Sequence, residues 1–545
     1  MAGKGKTDRV HLEIQQHRKN PAGLFRTTFY DKGKIKHETV GRVTGIPLQE
    51  LRLMQAALQG KVVLKEDFEI IGSKEHGAAY TLMEIAKQTG LDRILYSRTS
   101  EQWVRDALAM IAGRAVYAGS KLALTRVGAD STLWEQAGVV GDEIDVNTHC
   151  YDAMDRLLSR KKAIQKTLAA KHLKDNFVVL YDITSSYLEG EYEASDLVAF
   201  GYNRDKKKGK KQIVIGLICS REGCPVAVEV FRGNTNDSST VIDKIRDIKE
   251  EYGITDAIFV GDRGMLTQCR IDEIAADEGL AIRTITALTR SALTKLCEQG
   301  NVQRTLFDKD NVVEIILPDE PGIRYGLCSN PIRAERSRKT RMELIEKTKE
   351  KLADIAVPKR KTTDGQLGIR VGKIINKYKA GKYFITEIKD GKLNFSVNHE
   401  AIAEDEVYDG LYVIRTDVKP EHMAIEEAVF HYKSLTKVEL AFRSLKSPQL
   451  EIRPIHHKTD DRIDCHIFIC MLSYYLIWHL RQRLAPLFAE DSKGRKKKHT
   501  LTSVMERLKS IRREKVSFEG IITFTVTKPD EEQQKILDLL GVTIS

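Results

Sequence analysis

Residues 176–188, NFVVLYDITSSYL, put an aspartate, Asp182, at the close of an apolar run, and residues 257–265, AIFVGDRGM, repeat the arrangement with Asp262. Two more β-rich runs lie between them, KQIVIGLICS (211–220) and CPVAVEVFRG (224–233), and SSTVIDKIRDIKEEYG (238–253) reads as a helix leading into the last run. Strands joined by short turns, then a helix and a further strand, predict a mixed α/β sheet flanked by helices. Such sheets present ligand groups at strand ends, so the two aspartates meet if their strands are neighbours.

A third carboxylate comes from HYKSLTKVELAFRSLKSPQL (431–450), which reads as a helix. At about 100° per residue, Tyr432, Glu439, Arg443 and Lys446 share a stripe roughly 60° wide, while Val438, Phe442 and Leu445 point elsewhere. The stripe has two readings. It is a solvated face whose Glu–Arg and Glu–Lys pairs contribute a few tenths of a kcal/mol, or Glu439 joins the aspartates in a site. Three carboxylates repel unless a cation lies between them, and two Mg²⁺ ions held by Asp and Glu oxygens meet that need. Such a pair clamps the attacking and leaving oxygens of phosphodiester displacement, which suits a nuclease or a strand-transfer enzyme. Each aspartate alone has a plainer role as turn former or helix cap. Glu229 inside a strand run, Asp237 in the turn GNTNDSS and Asp256 ahead of its strand are rivals.

The 545 residues exceed one ordinary core, so two to four domains are expected. Lys and Arg total 88 against 77 Asp and Glu, a formal charge of +11. The excess is gathered in NRDKKKGKKQ (203–212), RAERSRKTR (333–341), VPKRK (357–361) and KGRKKKHT (493–500), which favours a polyanionic partner such as nucleic acid. The eight cysteines form no CxxC pair or zinc-finger spacing and read as reduced thiols of a cytosolic protein. The N-terminus has no apolar signal region, and the run HIFICMLSYYLIWHL (466–480) is too short and too polar at its ends to span a bilayer. That run reads as a core helix; no membrane partner and a cytoplasmic location are expected. Residues 24–44 predict a hairpin around an Asp-Lys-Gly turn, and 50–172 a helical block.

In order along the chain, LYDITSSYLEG, GYNRDKKKGKKQIVIGLICSREGCPVAVEVFRGNTNDSST, FVGDRGM and YKSLTKVELAFRSLKS resemble the DDE transposases of the insertion-sequence IS4 superfamily, most closely its IS1634 group. YAGSKLALTR (117–126), YDGLYVIRT and RPIHHKTDDRIDCHIFICML extend the resemblance over most of the chain. It implies an RNase H-like catalytic domain with Asp182, Asp262 and Glu439 as catalytic, metal-binding triad, Mg²⁺ as cofactor and Mn²⁺ as substitute. The superfamily's motif around the glutamate is Tyr, two residues, Arg, three residues, Glu, six residues, Lys. Tyr432, Glu439 and Lys446 match it, whereas Leu435 stands at the Arg position. A neighbouring cation, Lys433 or Arg443, is then expected on the DNA phosphate.

The gap from Asp262 to Glu439 is long for one sheet-to-helix connection, so an inserted domain is expected. The resulting segments are a β-hairpin region (1–50), a helical region binding DNA ends (51–172), the catalytic core in two parts (173–284 and 406–485), an insertion (285–405) and a basic C-terminal region (486–545). The resemblance implies a transposase that binds terminal inverted repeats in double-stranded DNA, cleaves it and joins 3′-hydroxyl ends to target DNA, acting as a homodimer in the synaptic complex. A nuclease of the same fold without strand transfer, or a DNA-binding protein whose catalysis has decayed, are the alternatives.

Overall fold

A computed structural model describes residues 6–15, 21–31, 34–59, 68–139, 144–173, 177–202, 204–205, 207, 209–236, 246, 257–277, 282–298, 312–356, 362–447, 450–488, 499–518 and 521–544. Asp237, Asp256, the basic runs at 357–361 and 493–498 and, apart from Arg246, the expected helix at 238–253 lie outside them. The chain divides into two compact units, one of residues 1–164, 190–195 and 444–545, the other of 165–189 and 196–443.

In the first unit, β1 (Lys6–Gln15), β2 (Ala22–Asp31) and β3 (Lys34–Thr44) form an antiparallel sheet, so the expected hairpin is present with one strand added. A further strand, β4 (Phe68–Glu75), pairs antiparallel with β15 (Arg512–Phe518), which pairs with β16 (Ile521–Val526). The helices of this unit pack around Asp460–Arg483, whose 24 residues are long and apolar enough to cross a membrane by length and composition. The helix outruns the 466–480 stretch, and 83% of its apolar window is buried, against helices Gln102–Val116 and Ala153–Ser159 among others. Residues 444–485, read in the sequence as the end of the catalytic core, cluster with this unit.

The second unit is built on an eight-stranded sheet: β5 (Phe177–Tyr187), β6 (Gln212–Ser220), β7 (Pro225–Arg232), β8 (Ala257–Val260), β9 (Arg283–Ala287), β10 (Val312–Ile316), β11 (Arg324–Ser329) and β14 (Leu411–Thr416). Their spatial order is β10-β11-β14-β9-β8-β5-β6-β7. Within it, β7-β6-β5-β8-β9 has β6 alone antiparallel to its neighbours and β8 and β9 parallel to β5, which is the RNase H arrangement. Every residue of β6 and β8 is buried, as the continuous apolar runs require when both sheet faces are covered. Tyr181 and Phe259 meet across the β5–β8 pair with ring centroids 5.6 Å apart.

The segment read as an insertion, 285–405, divides. Its first part supplies β10 and β11, which extend the catalytic sheet beyond β14. Its second part, helices Pro331–Ala356 and Asp364–Tyr378 with the hairpin of β12 (Phe384–Lys389) and β13 (Lys392–Val397), has a core of its own around Ile345, Leu352, Leu367, Val371 and Phe384.

Candidate active site

Asp182 is not at a strand end. It lies inside β5, opposite Leu217 of β6, and the strand runs on to Tyr187. The apolar run closes there, but Ile183, Thr184, Ser185 and Ser186 remain buried in the strand, because β6 keeps bonding to it down to the Tyr187–Gln212 pair. The strand on the other side is shorter. β8 runs beside β5 in parallel register from Phe177–Ala257 to Leu180–Val260, where the pairing ends. Asp182 is two residues beyond Leu180 and Asp262 two beyond Val260, so the register brings both carboxylates to the same edge.

A tight turn holds Asp262. Its carbonyl accepts the Met265 and Leu266 N–H groups at 3.0 Å, its Oδ1 accepts the Gly264 N–H, and buried Met265 and Leu266 anchor the loop while Asp262 itself is exposed. The half-buried Asp182 accepts the Ile183 N–H on Oδ1 at 2.8 Å. Burial, then repulsion from Asp262 and Glu439, push its carboxyl up to about 7, against the opposing pull of the Ile183 N–H and the Arg204 guanidinium. Asp262 and Glu439 therefore both lie in electrostatic reach of Asp182.

Glu439 reaches the site on helix Leu435–Lys446, whose period leaves Val438, Ala441, Phe442 and Leu445 buried and Glu439 and Arg443 exposed. The expected single helix is two: Ile425–Lys433 ends at Ser434, whose N–H bonds the carbonyls of Phe430 and His431, and the second helix starts after it. The first helix lies close on β11, where a Cβ at Gly326 would stand 3.0 Å from Ile425 and 3.2 Å from Val429. The second is tied to the β6–β7 turn by Lys437 Nζ donating to the Arg221 carbonyl at 2.6 Å. Tyr432, on the first helix, is half-buried and its hydroxyl is pushed up by burial, then by the Asp262 carboxylate, with Glu439 adding to it. Glu439 and Arg443 are not joined by an ion pair among the described residues, so the intrahelical pairing that would make this face merely structural is not formed. Lys446, the last residue of the helix, falls in the other compact unit. Leu435, which stands at the motif's Arg position, is buried.

Of the rival acids, Glu229 faces Gly216 across the β6–β7 pair and accepts from Gln165 Nε2 at 3.4 Å. The sequence reading misses Arg204, whose cation favours the ionised form of Asp182, and Arg263 and Arg333, which act electrostatically on Tyr432. Arg263 follows Asp262 directly, and Arg204 and Arg333 belong to basic runs that by themselves signal only surface charge.

Among the described residues no group of three His, Cys, Asp or Glu side chains is gathered closely enough to hold a metal ion as it stands. The donor set nonetheless fits one. Hard oxygen ligands are what Mg²⁺ and Mn²⁺ take, and a carboxyl raised by burial and then by two neighbouring carboxylates is relieved by a cation placed beside it.

Residues 178–476, more than half of the chain, match the sequence profile of the transposase DDE domain family. The chain belongs to the DDE transposase family. DNA is thereby its substrate and DNA cleavage its activity. No curated protein sequence matches this transposase. Among solved structures, that of piggyBac transposase in a synaptic complex with hairpin DNA resembles it at 9% identity and a TM-score of 0.35, over 79% of this chain and 76% of that one.

Proposed function

We propose that this DDE transposase is an insertion-sequence enzyme of the IS4 superfamily, most like the IS1634 group. It binds the terminal inverted repeats of its element, cleaves there, and transfers the 3′-hydroxyl ends to target DNA, as a homodimer in the cytoplasm. Asp182, Asp262 and Glu439 hold two Mg²⁺ ions, with Mn²⁺ able to replace them. The observation that supports this reading is that Asp262, set by the β5–β8 register beside Asp182, and Glu439 both push up the Asp182 carboxyl that burial has already raised. When bound, the ions supply Lewis-acid stabilisation of the charge that develops on the phosphate oxygens. The chain's own part is positioning: the β5–β8 register and the Asp262 turn fix two carboxylates, and the docked helix fixes the third. Residues 51–172 bind the DNA ends.

Tyr432, Arg443 and Lys446 contact the phosphate near the cleaved bond, Arg443 replacing the cation that buried Leu435 cannot provide. Arg443→Ala and Lys446→Ala are each expected to lower the log–log salt slope of DNA-end binding by about 0.9. For exposed Arg443 the melting temperature should stay unchanged. Unchanged DNA handling in both variants would remove these side chains from the interface.

The test of the whole reading is a strand-transfer assay with the full chain, a pre-cleaved duplex ending in the element's inverted repeat, and a supercoiled target. Joined product in Mg²⁺ and in Mn²⁺, with binding but little turnover in Ca²⁺, is the expected result. Cleavage of an intact end without joining would make the protein a nuclease of the same fold.

A further inference from the structure

The basic run RAERSRKTR (333–341) has no part in the function proposed above. It opens helix Pro331–Ala356, and its helical period sorts the charges. Arg333, Arg336 and Arg341 face a cavity of about 800 Å³, whereas Arg338 and Lys339 do not line it. Arg263, Arg290 and Lys379 line it as well.

The cavity's charges do not balance. Asp409 is the acid that lines it, and buried Arg341 grips both of its oxygens, Nη1 donating to Oδ1 at 3.1 Å. Arg290 is paired with Asp405 at 2.7 Å. Arg263, Arg333, Arg336 and Lys379 are exposed, and among the described residues none has an acidic partner. Four uncompensated cations around one concavity repel one another and focus a positive potential inside it. The long helix begins there too, with Asn330 Oδ1 accepting the Arg333 N–H at 3.0 Å, so its positive end adds to the field.

The cavity adjoins the Asp262 turn. Arg263 is the residue after Asp262, and Arg333 acts electrostatically on both Tyr412, in the cavity wall, and Tyr432, beside Asp262 and Glu439. We propose that this cavity binds the phosphodiester backbone of a DNA strand leading away from the carboxylates, with Arg333 and Arg336 on successive phosphates. A strand can touch both places; a free nucleotide in the cavity cannot. The proposal rests on the DNA-cleaving reading for the identity of the strand, but not for anion binding as such.

The test measures fluorescence anisotropy of a labelled dT12 oligonucleotide with the full chain in EDTA, across a salt series, so that neither metal nor cleavage enters. Arg333→Ala/Arg336→Ala is expected to weaken binding at least about tenfold and to lower the log–log slope by about 1.4, from two single-strand contacts at about 0.7 each. Lys339→Ala, on the same helix but off the cavity, should leave the slope within about 0.3 of the wild type. Arg333→Lys/Arg336→Lys should retain most of the slope, which separates charge from helix integrity. An unchanged slope in the double alanine variant, an equal loss in Lys339→Ala, or displacement of dT12 by micromolar ATP would each overturn the proposal. Loss of Mg²⁺-dependent cleavage by the wild type, with these binding differences intact, would instead count against the carboxylate site.

Discussion

Alanine at Asp182, Asp262 or Glu439 is expected to lower DNA cleavage by at least about 10³-fold, equivalent to roughly 4 kcal/mol of transition-state stabilisation. Binding to DNA ends in Ca²⁺ should remain within about threefold of the wild type. On the proposed reading the two effects separate, because the carboxylates face charge that develops only during reaction, whereas affinity for DNA comes from phosphate contacts made by cations. Removing an acid from a cationic neighbourhood that includes Arg204 and Arg263 even favours the binding of a polyanion. The three losses should not add, since the acids act on one site: a double alanine variant should be little worse than the worse of its singles. Cleavage assays on end-containing duplex, with gel-shift binding in Ca²⁺, decide the matter. A single variant that cleaves at near wild-type rate would strike that residue from the site.

What the sequence disclosed were patterns of short range. The continuous apolar runs ending in Asp182 and Asp262 announced buried strands, and the helical period announced that Glu439 and Arg443 share an exposed face opposite Val438, Phe442 and Leu445; burial bears out both. What it hid depends on partners remote in the chain. Asp182 looked terminal because apolarity stops there, and only the length of β6 on its far side shows that the strand continues. The strand pairing of β4 with β15 joins residues more than four hundred positions apart, and neither strand has a pattern that names the other. Equally, β10 and β11 sit within the gap that suggested an insertion, yet they pair through to β14 and widen the catalytic sheet.

The site's chemistry was legible to a similar depth. Strand-end patterns made the acids candidates and the family resemblance singled out three of them, but the cation that acts on Asp182 comes from a turn. Arg204 is held by its backbone N–H on Ser185 Oγ at 3.0 Å, a contact between a turn and the middle of β5 that no periodicity encodes. The break at Ser434 was equally invisible, since serine is tolerated in a helix and Ser434 keeps helical backbone angles as the cap of the first one. A consequence is that Tyr432 reaches the acids from a different helix than Glu439 does.

The metal-free protein should be measurably strained by its own site, and Asp182→Asn should relieve it. The Asp182 carboxyl, raised to about 7, binds its proton more tightly in the folded chain than in the unfolded one, where an aspartate titrates near 3.9. Between those values the folded state holds more protons, so stability falls as pH rises from about 4 to 7, and the full cost is present above pH 7. A rise of that size sets an upper bound of about 4 kcal/mol, and partial solvation of a half-buried group makes roughly 2–4 kcal/mol a reasonable range. Asparagine keeps the shape and never ionises. The variant should therefore melt at a higher temperature than the wild type at pH 8 in EDTA, and at the same temperature at pH 4. A divalent cation reverses the order by binding the ionised site only in the folded state. Adding Mg²⁺ at pH 8 should raise the melting temperature of the wild type and leave Asp182→Asn nearly unmoved, although neither measurement involves DNA or turnover. A variant no more stable than the wild type at pH 8, or one that gains as much from Mg²⁺, would mean that Asp182 is neither burdened by its neighbours nor a ligand of the ion.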